Sequence, residues 1–237
     1  MQYEKVNNYC CFVVVHGTRL TAQKNSKSFL NIDYKEMEKF AKNQPEDFTA
    51  LIHRFNSGDT TLTDMEVAKI YYGSYFSADY SYKEASSELR DLLKSKSYKS
   101  ALEQCKKELE KSPCSLDLLL KAFICTSNLG ESVALYSTQI EQIVGVIFSS
   151  GDGRTENTAL KVLEVSDEYC IIYGILNLNL KQQALVGHCD RMTVYEDEDS
   201  QNTFDIYFDV SLHLAHLDKL FGGFDKSTKK MKKSKRK

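Results

Sequence analysis

Proline is nearly absent, with two residues in 237, Pro45 and Pro113. That scarcity excludes a long proline-rich linker, and it makes each proline a firm mark against helix continuation. Long apolar runs are missing as well. No stretch approaches the ~18 consecutive apolar residues that a membrane-spanning helix needs, so no transmembrane segment is expected. The seven cysteines are odd in number and lack paired spacing. Cys10 and Cys11 are adjacent, which suits neither a bridge nor a zinc knuckle. Cys105 and Cys125 read as small buried hydrophobes on helix faces. A chain of this length buries about 70–75% of its unfolded surface, so its core needs no staple. GxSxG, HExxH, CxxC and the Gly-Lys-Ser/Thr ending of a phosphate-binding loop are all absent. Positive charge is scarce outside one end. Residues 226–237 hold eight of the 31 Lys and Arg, leaving 23 basic against 33 acidic residues elsewhere. An acidic body excludes the basic face that a phosphate backbone demands, so no nucleic-acid partner is expected.

What is present is an ordinary globular composition, 42% hydrophobic and 27% charged, and a strong helical pattern. The centre is the stretch from Ser97 to Gly151. Tyr98, Ala101, Leu102, Cys105 and Leu109 form one helical face, Pro113 stops it, and Ser115 caps the next helix. That helix, Leu116 to Leu129, is apolar on most sides and ends at Gly130. Val133, Tyr136, Ile140, Val144 and Ile147 mark a third. Upstream, Tyr34, Met37, Phe40 and Ala41 make a first helix. A second starts at Pro45 and shows Phe48, Leu51, Ile52 and Phe55. Thr63-x-x-Glu66 is a capping box opening a third, with Met65, Ala68, Tyr72, Tyr75 and Phe76. Another carries Ala85, Leu89, Leu92 and Leu93.

After Phe148 the pattern changes. Leu160 to Val165 reads as a strand, Ser166-Asp167-Glu168 as the start of a short helix reaching Ile175, and the segment from Gln182 to Glu196 as one long strand bulged at Gly187. In TFDIYFDV, Phe204, Ile206, Phe208 and Val210 should face the core, with Asp205, Tyr207 and Asp209 outward. Leu214, Leu217 and Phe221 predict a closing helix. Helices first and strands after give an α+β fold: an N-terminal helical part packed against a small, mostly antiparallel C-terminal sheet with a terminal helix. The expected divisions are 1–28 as a leader-like or disordered start, 29–221 as one domain (29–150 helical, 151–221 α+β) and 222–237 as a disordered basic tail.

Several groupings can be weighed for chemistry. Asp167, Glu168 and Asp209 are candidate paired carboxylates, which need a defined separation and unequal pKa values; a helix cap and an outward strand acid explain them more simply. Gly151, Asp152 and Gly153 lie in a glycine loop that invites a phosphate, yet a turn accounts for it. His188, Asp190, His213 and His216 are the possible metal ligands. His188 and Asp190 share a strand face, and His213 and His216 share a helical one. No metal-binding frame accompanies them, and no cofactor is expected. Tyr71, Tyr80 and Tyr82 belong to a tyrosine-rich run suited to peptide or sugar contact, although Tyr72 and Tyr75 fall on the buried stripe.

Three segments together resemble a known family. Gly58 to Tyr82 (GDTTLTDMEVAKIYYGSYFSADYSY), Ser150 to Tyr169 (SGDGRTENTALKVLEVSDEY) and Phe204 to Ser211 (FDIYFDVS) are similar to domain of unknown function 4919, in family order and over about Phe29 to Phe221. The resemblance implies an uncharacterised, often exported protein of the kind found mainly in Bacteroidetes, and it implies no activity. Residues 97–130 also resemble one tetratricopeptide unit without its Trp-Leu-Gly core. The first 23 residues look like a degraded secretion signal: Glu4 offsets Lys5 and the apolar run has six residues. The expected function is therefore non-catalytic binding or scaffolding in a bacterial cell envelope, with an unknown protein or peptide partner. The alternative is an unrecognised hydrolase using acids of the C-terminal sheet. The tail is expected to be a solvated end, with a tether and an arm docked on Glu196 to Asp199 as its competitors.

Overall fold

The computed structural model describes residues 28–77, 85–197 and 202–219. The leader-like start, Tyr80, Tyr82 and the basic tail lie outside the described residues.

Seven helices come first: α1 (Tyr34–Asn43), α2 (Pro45–Asn56), α3 (Asp64–Ser74), α4 (Ser87–Lys94), α5 (Tyr98–Leu109), α6 (Leu116–Asn128) and α7 (Ala134–Ser149). Their ends follow local chemistry. Asp33 caps α1 by accepting from the Lys35 amide, and Pro45 occupies the first turn of α2, where its missing N–H costs nothing. Thr63 and Glu66 form the reciprocal capping box of α3, and Ser115 caps α6 through the Leu118 amide. Gly130 takes a positive φ of 69° just beyond α6, a conformation most L-residues resist.

The second part is a four-stranded mixed sheet in the order β1 (Leu160–Lys161), β4 (Phe204–Asp209), β3 (Cys189–Tyr195), β2 (Asn179–Val186). β1 runs parallel to β4, and the other pairings are antiparallel. Between β1 and β2 a short helix, α8 (Val165–Tyr169), runs on into a π turn over Cys170–Ile175. A last helix, α9, spans 211–219. The class is α+β, with the helices mostly N-terminal.

Three strand expectations are corrected. Pairing in the segment from Leu160 stops at Lys161 because the chain turns directly into α8. The long strand from Gln182 is a hairpin: Gly187, at φ 62°, and His188 form the turn between β2 and β3. Phe204 is 46% exposed rather than buried, at the first position of β4, although its cross-strand partner Val194 is covered.

One continuous core joins the two parts, running from Phe55, Ile70 and Ile143 through Val162 and Ile171 to Met192 and Phe208. Two tyrosines of α3 stitch the layers together. The Tyr72 hydroxyl donates to the Lys161 carbonyl at 2.8 Å, and the Tyr71 hydroxyl donates to Asp167 at 2.5 Å. Gln139 of α7 donates to the Phe55 carbonyl inside the helical part.

Candidate functional site

A cleft of about 570 Å³ opens where α1, α2 and the end of α3 face the turn between α5 and α6. The prolines place its walls. Pro45 starts α2 so that Phe48 and Ile52 point into the cleft, and Pro113 turns the chain so that α6 begins at the opposite side. Phe76 closes one end, Lys42 and Lys111 sit at the rim, and Leu163, Glu164 and Asp167 supply the floor. The volume falls in the range typical of ligand sites, and the lining mixes apolar side chains with a few polar ones.

Asp167 is the buried acid of that floor, 2% exposed. Burial raises its carboxyl to about 7, against the lowering pull of the Tyr71 hydroxyl and the Glu164 amide. Both donors reach the same oxygen, Oδ2, at 2.5 and 3.1 Å. The Tyr71 hydroxyl also accepts from the Leu163 amide at 2.9 Å, so its donor and one acceptor position are used inside the fold. Tyr71 itself is fully buried.

The other candidate acids do not join Asp167. Glu168, its neighbour, points to the sheet and lies beside Asp190 of β3. Asp209, expected to face outward, is 6% exposed. At this end of β4 the strand alternation is intact, but Tyr34 of α1 and Tyr72 cover the outer face. Asp209 accepts from Lys161 at 3.1 Å and from the Ser211 amide at 2.9 Å. Burial works to raise its carboxyl, and the Ser211 and Lys161 donors outweigh it and hold it below the usual range.

The remaining candidates are dispersed. His188 is exposed in the hairpin turn, whereas Asp190, two residues on, is buried. His213 and His216 are half-buried on α9, and His213 is held below the ordinary imidazole value by burial and by His216. Among the described residues no three His, Cys, Asp or Glu side chains form a group able to hold a metal ion. In the glycine loop, the Gly153 amide donates to the Thr158 carbonyl, and Asp152 accepts from the Arg154 amide. A Cβ on Gly151 would meet the Thr158 carbonyl oxygen at 2.4 Å, so the glycine serves a close backbone approach. Sequence reasoning missed the cleft lining, Phe48, Ile52, Phe76 and Pro113. The available signal was the pair of prolines that begin and end its walls.

A family model described as Domain of unknown function (DUF4919) matches residues 14–219. No curated protein and no solved structure matches the chain.

Proposed function

The chain belongs to the DUF4919 family across residues 14–219, and on that footing we propose that it is a non-catalytic binding module whose cleft accepts an extended polypeptide segment. One observation carries the reading. The acid at the cleft floor, Asp167, has its Oδ2 taken by Tyr71 and the Glu164 amide, while Glu168 points to the sheet and Asp209 is paired with Lys161. Paired-acid chemistry needs a second group at a set distance from the first, and the described lining holds no second buried carboxyl. Phe48, Ile52, Phe76 and Pro113 would take apolar side chains of a guest. Thr49 and Ser112 offer hydrogen bonds to its backbone, and Ser74 and Ser77, whose hydroxyls donate to the Tyr71 and Ser74 carbonyls, can accept from its amides. The turn between α5 and α6 forms one wall, and the likeness of residues 97–130 to a tetratricopeptide unit supports a peptide guest. The envelope setting rests on the family resemblance and on the leader-like first 23 residues.

A hydrolytic reading has one observation in its favour, since a carboxyl near 7 suits a general acid or base. One experiment separates the two. Peptides selected from a random display library on the intact protein should lose roughly tenfold or more in affinity with Ile52→Asp, the loss of one buried anchor. Asp167→Asn should leave their affinity within about threefold, because the acid positions the floor without meeting the guest. Turnover of a peptide, ester or glycoside panel that Asp167→Asn abolishes would overturn the binding reading in favour of the hydrolase.

A further inference from the structure

Glu168 has no solvent exposure, and neither of its oxygens has a hydrogen-bond partner. Another acid, Asp190 of β3, lies beside it and is itself buried. The surrounding donors are already used. The Gln183 amide on β2 donates to Asp190 Oδ2 at 2.7 Å, and Gln183 Oε1 accepts from the Tyr169 hydroxyl at 2.6 Å. On α8, the acid next to Glu168 is Asp167, a third carboxyl. From α9, His213 faces Asp190, and burial together with His216 favours its neutral form. Among the described residues no cation is therefore seen to offset two neighbouring carboxylates in a low-dielectric layer, an arrangement that disfavours ionisation of both.

We propose that Glu168 and Asp190 share one proton, and that this acid–carboxylate hydrogen bond is a pH-sensitive latch holding α8 and the π turn onto β3. The proton sits on a Glu168 oxygen and is donated to the Asp190 carboxylate, whose Oδ2 is occupied by Gln183, leaving Oδ1 as acceptor. Both orphaned acids are satisfied by one hydrogen. When hydroxide removes that proton as water, the pair becomes two like charges, and α8 with its π turn is pushed from the sheet. The stacked rings of Tyr169 and Tyr173, 6.2 Å apart and 9° from parallel, ride on the released segment. π turns are rare, and those that occur are frequently at functional sites.

The direction with pH is set by burial, which keeps the Glu168 proton bound well above the pH at which an unfolded glutamate gives it up. Stability from such a group is whole below the unfolded value and is lost as pH rises through the folded one. Asp167 behaves likewise, but its loss is complete near 7. The buried thiols Cys114 and Cys170 add theirs only above the ~8.5 of an unfolded cysteine. Cys125, held below the usual thiol range by Cys105, works in the opposite sense, so the share of Glu168 between pH 7 and 8.5 is the part of the slope that Glu168→Gln removes.

The test is denaturant unfolding of the full chain across that window. The wild-type unfolding constant should rise about tenfold per pH unit until Glu168 ionises, one proton being lost on unfolding. Glu168→Gln should be flat. Asp190→Asn should weaken the rise, because its amide can donate to an ionised Glu168 while the burial remains. Infrared spectra of the folded wild type in heavy water give an independent reading. A protonated-carboxyl absorption should persist at pH 8, survive Asp167→Asn and vanish in Glu168→Gln. A flat wild-type profile, a slope retained in both variants, or no such absorption at pH 8 would each overturn the latch.

Discussion

Asp167 and Glu168 are consecutive in the chain and almost equally buried, yet they live in opposite environments. The helical side of α8 is rich in donors: Tyr71 and the Glu164 amide converge on Asp167. The sheet side is poor in them, and Glu168 meets only another acid. Burial alone raises both carboxyls. Donors restrain the first to about 7, whereas for the second Asp190 adds to the effect of burial instead of opposing it. Buried acids are thus told apart by what donates to them rather than by depth.

The contrast between the two sides can be strained by mutation, beginning with packing. Phe208→Ala should cost about 3–5 kcal/mol in denaturant unfolding, because the ring is fully buried where the sheet meets the helices. Such a loss would show that the sheet is held by the shared core; a loss near zero would mean that it stands apart. Tyr71→Phe comes next, at about 1–3 kcal/mol, since it leaves the buried Leu163 amide without an acceptor and Asp167 with one donor fewer. The same variant should raise the Asp167 carboxyl above 7, measurable by carbon-detected NMR titration. Asp209→Asn should cost about 1–2 kcal/mol, a value discounted for the partial exposure of Lys161. Its sign with pH is opposite to that of Glu168. A depressed carboxyl stabilises above its unfolded value and stops doing so as pH falls through the folded one, so the variant should flatten the acid limb of the stability curve. Phe204→Ala closes the series at under about 1 kcal/mol, with the ring nearly half exposed. A cost matching that of Phe208 would erase the distinction between the covered and open ends of β4.

Much of the helical part was readable because its signals are local. Capping at Thr63 and Ser115, the stop at Gly130 and the start at Pro45 each depend on residues within one turn. The sheet was readable in class but not in detail. Whether Leu160 to Val165 pairs for two residues or six depends on where β4 arrives, nearly 50 positions later. Strand alternation set Asp209 opposite Phe208, yet it is not solvated, because Tyr34 from an early helix lies against it. The cleft and the Glu168–Asp190 contact escaped for the same reason. Each is made by side chains from separate elements, and no spacing in one segment encodes the meeting.

The Tyr71–Asp167 bond spans 96 positions, and Tyr72 waits as long for the Lys161 carbonyl, 89 positions on. On a ribosome adding 5–20 residues per second, α3 emerges roughly 5–20 s before its buried hydroxyls have partners. During that interval two aromatic residues bound for the deepest part of the core face water or whatever else is near. The helical part is therefore a nascent chain in need of shelter, and its shape is completed from the carboxyl end.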